Sequence, residues 1–152
     1  MKKFIHIVKN LLVLVLVFAG VVSAEVQWEL ITTTKEGTRI YIETNSITML
    51  APGRYLIWTE TYPESGDRQK YMERELKGVF GVDKFAYTKS RVEIDCSTMR
   101  HRYHSIIYYS DNDNVLKIDK YGPSEWYDPP PGSYGDNILK RVCAKGYDAK
   151  EM

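Results

Sequence analysis

"SYGDNILKRVC" (residues 133–143) decides the fold, because it ends on a cysteine carried by the apolar stripe of a short helix. Ser133 is a good N-cap, and Asp136 three residues on completes a variant capping box. Ile138, Leu139, Val142 and Cys143 fall on one face at helical spacing. Lys140, Arg141 and Lys145 gather toward the C-terminus, where the helix dipole favours cations, and Gly146 is a natural stop. The preceding Pro129-Pro130-Pro131-Gly132 cannot be helical and reads as extended chain. What the cysteine meets then sets the architecture.

The other cysteine ends a strand. Val92, Ile94 and Cys96 face one way while Arg91, Glu93 and Asp95 face the other, which puts Cys96 on the core side. The redox compartment follows from the N-terminus: Lys2, Lys3 and Lys9 precede the apolar run LLVLVLVFAGVV and then Val22-Ser23-Ala24. A basic leader, an apolar run of that length and small residues before a cleavage point describe a secretory signal peptide over residues 1–24. The run is too short for a membrane-spanning helix, which needs roughly 20 residues. Two cysteines in an exported chain read as a disulfide. The alternatives are free thiols or half of a metal site, but a metal site wants four ligands and no local Cys/His spacing supplies them. A Cys96–Cys143 bridge would close 47 residues of chain, worth about 4 kcal/mol at most by loop-closure entropy.

Residues 25–152 then form one domain. Losing the leader leaves 18 Lys and Arg against 20 Asp and Glu, so the domain is nearly neutral. The densest basic stretch, Arg100-His101-Arg102, is too small for a nucleic-acid surface. Strand patterns recur along the chain. Val26, Trp28 and Leu30 alternate with Gln27, Glu29 and Ile31, giving one buried face; Ile40 and Ile42 share a side opposite Tyr41; Leu56 and Trp58 share a face. Turns at residues 35–38 and 51–53 make these three antiparallel strands. Over residues 63–90, KYMEREL is either a short helix or the start of a strand. Val79, Phe80, Val82, Phe85 and Tyr87 read as core or rim, and Gly78 and Gly81 oppose a long element. A strand over residues 99–110, the turn Asp111-Asn112-Asp113-Asn114, and a strand over residues 115–121 with Leu116 and Ile118 on one face make a hairpin. The expected class is α+β: an antiparallel sheet of about six strands, a C-terminal helix packed on it, and one disulfide.

Chemistry-bearing constellations are sparse. His101 and His104, three apart on a strand, point to opposite faces and cannot share a metal ion. The Asp/Asn turn lacks the glycine and glutamate of a calcium loop, whose places fall on Leu116 and Gly122. Glu73/Glu75 and Glu93/Asp95 read as solvent-facing carboxylates. No catalytic residue, metal or cofactor is expected. Tyrosine is the prominent residue, with 12 copies and three tryptophans. Tyr108, Tyr109, Trp126 and Tyr127 are the candidate binding patch, because amphipathic rings favour interfaces. The plainer account is that a small sheet uses tyrosine for its strand propensity.

Residues 89–116, KSRVEIDCSTMRHRYHSIIYYSDNDNVL, followed by residues 123–143, PSEWYDPPPGSYGDNILKRVC, resemble the surface-adhesin protein E family. The resemblance rests on Asp-Cys ending a strand before a basic strand, a Tyr-Tyr-Ser hairpin, and a tryptophan leading through Pro-Gly-Ser into a helix closed by cysteine. The stretches IYIETNSI and YLIWTETY resemble that family's first strands. It implies a small exported domain with the Cys96–Cys143 pair, and its name-giving member is a surface lipoprotein that binds host matrix and serum proteins, vitronectin and laminin among them. This chain has no cysteine at the expected cleavage point, so a periplasmic, secreted or cell-surface protein without a lipid anchor is expected. The functional expectation is a non-enzymatic, adhesin-like module binding a protein or cell-envelope component. The alternative is an envelope structural or assembly protein that self-associates through a sheet edge, as in a homodimer. A hydrolase is the third reading, should polar groups converge in three dimensions.

Overall fold

The computed structural model describes residues 26–145 and 150–151, so the expected leader (residues 1–24) and helix stop (Gly146) lie outside the described residues. Seven strands form one antiparallel sheet: β1 Trp28–Thr33, β2 Arg39–Glu43, β3 Thr48–Ala51, β4 Arg54–Tyr62, β5 Phe85–Asp95, β6 Arg100–Ser110 and β7 Val115–Lys120. Their order is β1-β2-β4-β5-β6-β7, and β3 continues β2's line along β4 after a 3-10 turn over Thr44–Ser46. A two-residue strand, β8 Lys150–Glu151, lies parallel to β3. Four strands, not the expected three, therefore precede Pro63, because the chain after the turn at residues 44–46 forms the further short strand β3. The β3–β4 turn needs a left-handed residue, which Gly53 supplies at φ +75 behind Pro52.

The two helices, α1 Ser65–Arg74 and α2 Tyr134–Lys145, cover the same face of the sheet. Under α2, Ile40, Ile42, Tyr55, Ile57, Val92 and Ile94 pack against Ile138, Leu139 and Val142. Beside α1, a second cluster joins Leu76, Phe85 and Tyr108, with Tyr71 and Leu116 against it. Ser133 Oγ accepts the Asp136 N–H at 3.3 Å, as a cap should. The Asp136 carboxylate reaches one residue further back than in a standard capping box, taking the Gly132 N–H at 2.7 Å. The disulfide joins Cys96, just past β5, to Cys143 on α2, with Cα atoms 5.5 Å apart. So the cysteine helix is bolted to the sheet.

Several sequence expectations change. Residues 65–74 are helical, but α1 buries none of its own residues, so no apolar stripe marked it. β5 begins at Phe85, six residues before the Arg91 start that alternation indicated. A bulge in β1 after Leu30 turns Ile31 onto the core, leaving Leu30 half-exposed on the other side with Trp28 and Val26. Leu116 packs in the second cluster while Ile118, opposite Ile107, is half-exposed; a bulge in the β6–β7 pairing separates them. Phe80, expected at the core or its rim, is 98% exposed.

Candidate functional site

Strand alternation leaves a second face, opposite the helices, that no helix among the described residues covers. Its side chains follow from register. Tyr41 of β2, Trp58, Glu60 and Tyr62 of β4, Tyr87, Lys89, Arg91 and Glu93 of β5, and Arg102, Ile107 and Tyr109 of β6 lie on it. Rings and cations interleave across four strands. Tyr41, Tyr62, Tyr87 and Tyr109 form a row with centroid spacings of 5.9, 5.1 and 4.9 Å. The last pair is stacked within 6° of parallel. Arg39 lies over Tyr62, and Arg91 lies 5.1 Å over Trp58. Lys89 sits among Trp28, Tyr87 and Tyr109 at 5.1, 5.8 and 5.7 Å and pairs with Glu60 at 3.3 Å. Such contacts fix both ring and cation; Tyr87 is buried within the row, while Tyr41, Trp58, Tyr62, Lys89, Arg91 and Tyr109 stay partly accessible.

The far end of this face is an ionic node. Glu93 is buried, and its carboxylate accepts hydrogen bonds from Arg54 and from Arg102 Nε at 2.8 Å and meets His104 Nε2 at 2.9 Å. Trp126 roofs it, with the Arg102 guanidinium 4.5 Å and the Arg54 guanidinium 5.5 Å from its ring. Burial alone would raise the Glu93 carboxyl. Arg102, His104 and Arg54 outweigh that and hold it below the usual carboxylate range. The expectation of a solvent-facing Glu93 is overturned: the residue does point away from the helices, but arginines and tryptophan cover it. At the other end, burial first and then the Tyr87 partner Asp113 (2.7 Å) raise the Tyr87 hydroxyl. Burial and the Glu60 charge push Tyr62 up to about 12. Both phenols therefore stay neutral hydrogen-bonding groups at physiological pH.

A sequence model of the surface-adhesin protein E family matches residues 28–144, from the first strand to the last turn of α2. The chain belongs to this family. No curated protein and no solved structure matches it.

Within this adhesin-family domain the four ring residues singled out from sequence divide between the two faces. Tyr109 and Trp126 belong to the open face. Tyr108 is 1% exposed in the α1-side cluster and presents no surface, and Tyr127 packs edge-on against His101 on the helix side, half-exposed. Adjacent residues of an extended strand point opposite ways, so Tyr108 and Tyr109 could never form one patch. The residues that sequence reading missed are Trp28, Tyr41, Trp58, Tyr62, Tyr87, Lys89 and Arg91. The available signal was the period-2 match of rings with cations on β4 and β5. His101 lies buried beneath α2 while His104 reaches Glu93, so the two point to opposite faces. The Asp/Asn turn closes through the Ser110 N–H to the Asn114 carbonyl and the Asp113 N–H to the Ser110 carbonyl, with Asp113 left-handed at φ +60. Among the described residues no cluster of His, Cys, Asp and Glu suits a metal ion, and no helix is long and apolar enough to cross a membrane.

Proposed function

We propose that this surface-adhesin protein E family member is an exported, non-enzymatic binding module that presents its open sheet face to a protein of the cell envelope or host matrix. The observation that carries this reading is the uncovered face itself, where tyrosine and tryptophan rings are held in place by Lys89, Arg91 and Arg39. Tyr, Trp and Arg are the residues in which binding energy concentrates at interfaces. Rings already stacked on one another lose little side-chain freedom on docking, which lowers the entropic cost of association.

Capture from envelope and matrix extracts tests it, using the exported chain, an open-face variant (Trp58→Ala with Arg91→Glu), and Arg68→Glu on α1 as a control. The expected result is one saturable partner held by the wild type and the control and lost by the open-face variant. Retention by all three sinks the reading. Sheet-edge self-association is the second reading, favoured by Val115 and Ile118, which are half-exposed on the terminal strand β7. Against it, β7 carries Lys117, Asp119 and Lys120, and the opposite edge, β1, is bulged; both features discourage edge pairing. Sedimentation of the isolated chain as a monomer at all concentrations excludes it.

A further inference from the structure

The helix-covered face carries a feature that adhesion through the opposite face does not use. Between α1 and α2 a cavity of about 410 Å3 opens onto the sheet, within the size range of small-molecule sites, roughly 300–1,000 Å3. Its floor departs from the Ile/Val pattern of the neighbouring core. Thr59 pairs with Ser90 and Thr61 with Thr88 across β4 and β5, which makes a square of four hydroxyls at the centre of the sheet. Thr59, Thr88 and Ser90 are buried, and none of the four hydroxyls is engaged by another group among the described residues. None is sealed off either, so each faces the cavity. Hydroxyls at these positions must find their partners in whatever occupies the cavity, whereas valine there would ask for none.

The walls combine tyrosine rings and isoleucines with Thr34 and Thr38. Tyr71 stands on the α1 side, and Tyr103 and Tyr134, whose hydroxyls meet at 3.4 Å, stand on the α2 side. At the mouth Lys70 is paired with Asp67 at 3.0 Å, and Arg74 and Glu75 carry opposite charges, so the four charges there sum to zero. We propose that this cavity binds a neutral, polyhydroxylated small molecule, a sugar ring, whose hydroxyls bond the Thr59/Ser90/Thr61/Thr88 square while its C–H face lies on tyrosine. An anion or cation would find no unpaired counter-charge on the floor, and a purely apolar ligand would leave four hydroxyls unsatisfied.

The test is an NMR titration of the exported chain with methyl glucoside, methyl galactoside and N-acetylglucosamine, and with p-cresol as an apolar comparator. The expected result is a saturable shift at the Thr59, Thr61, Thr88 and Ser90 amides with at least one saccharide. Thr59→Val and Ser90→Ala should each weaken that binding about five- to tenfold while leaving the melting temperature unchanged or raised. That pairing is diagnostic, because hydroxyls with a structural role would lower stability when removed. No saturable shift with any saccharide, shifts with p-cresol alone, or equal saccharide binding by both variants overturns the proposal. Loss of partner capture by the open-face variant bears on the other face and leaves this result independent.

Discussion

At the residue scale, Glu93 is the most constrained charge on the open face. Its side chain is 2% exposed, whereas those of Arg54, Arg102 and His104 are 38, 21 and 31% exposed, so the carboxylate depends on its partners more than they depend on it. Glu93→Gln keeps the shape, removes the charge and leaves two arginines facing a neutral amide. Fully buried broken pairs cost roughly 3–5 kcal/mol, and the partial exposure of these cations reduces the expected cost to about 2 kcal/mol. The pH dependence has a definite sign. The folded carboxyl is held below its unfolded value, so its contribution is complete above about pH 4.5 and is lost as pH falls through the lower folded value. Urea midpoints should differ clearly between wild type and Glu93→Gln at pH 7 and converge in acid; a gap of constant size would show that the charge is not its source. Alternation in RVEID correctly put Glu93 opposite Val92 and Ile94. It could not reveal that Trp126, distant in sequence, roofs that position, since period 2 assigns a side and says nothing about what lies on it.

At the scale of elements, α2 was legible because several local signals agreed: cap, apolar stripe, terminal cations and an extended proline run before it. Two predictions test that reading. Ser133→Ala removes the side-chain acceptor for the Asp136 N–H and should cost about 1 kcal/mol in a chemical melt. Gly135→Ala should also destabilise, although alanine is the better helix former by roughly 1 kcal/mol. A Cβ there would stand 3.0 Å from His101 Cε1 and 3.1 Å from Pro129 Cβ, and His101 is buried, so neither neighbour yields freely. A higher melting temperature for Gly135→Ala would show that His101 does move aside. The illegible elements failed for a related reason. α1 carries only Tyr71 and Met72 as apolar residues and is anchored by them and by Leu76 beyond its end, so no periodicity announced it. The first half of β5 hid because Thr88 and Ser90 stand where a core strand carries apolar residues, and because a bulge between Phe85 and Tyr87 resets its faces. The hydroxyls that broke the strand pattern are those that floor the cavity. The departure from pattern and the candidate site are one feature of the sequence.

For the whole molecule, both helices and the disulfide lie on one side of the sheet, so the two faces are mechanically separable. The open face is held by strand pairing and by its own ring–cation contacts, whereas the cavity needs α2 in place to supply Tyr134 and Ile138. Cys96–Cys143 ties that helix to the end of β5 across 47 residues. Loop-closure entropy gives the tie about 4 kcal/mol, and native disulfides of small exported domains typically contribute about 2–5 kcal/mol. Cys96→Ala/Cys143→Ala should therefore lower the unfolding free energy read from a urea melt by that order without changing the fold at low denaturant. The loss should also be uneven. Amides of α2 should exchange with solvent faster than those of β4 and β5, because the helix then relies on its Ile138, Leu139 and Val142 contacts and on surface pairings such as Glu29 with Arg141 and Lys145. Below the transition, partner capture through the open face should persist in the double variant while saccharide binding weakens. Hydrogen exchange read beside the two binding assays decides the point. Equal loss of both activities, with uniform exchange across sheet and helix, would mean that the domain opens as one unit and that the two faces do not work independently.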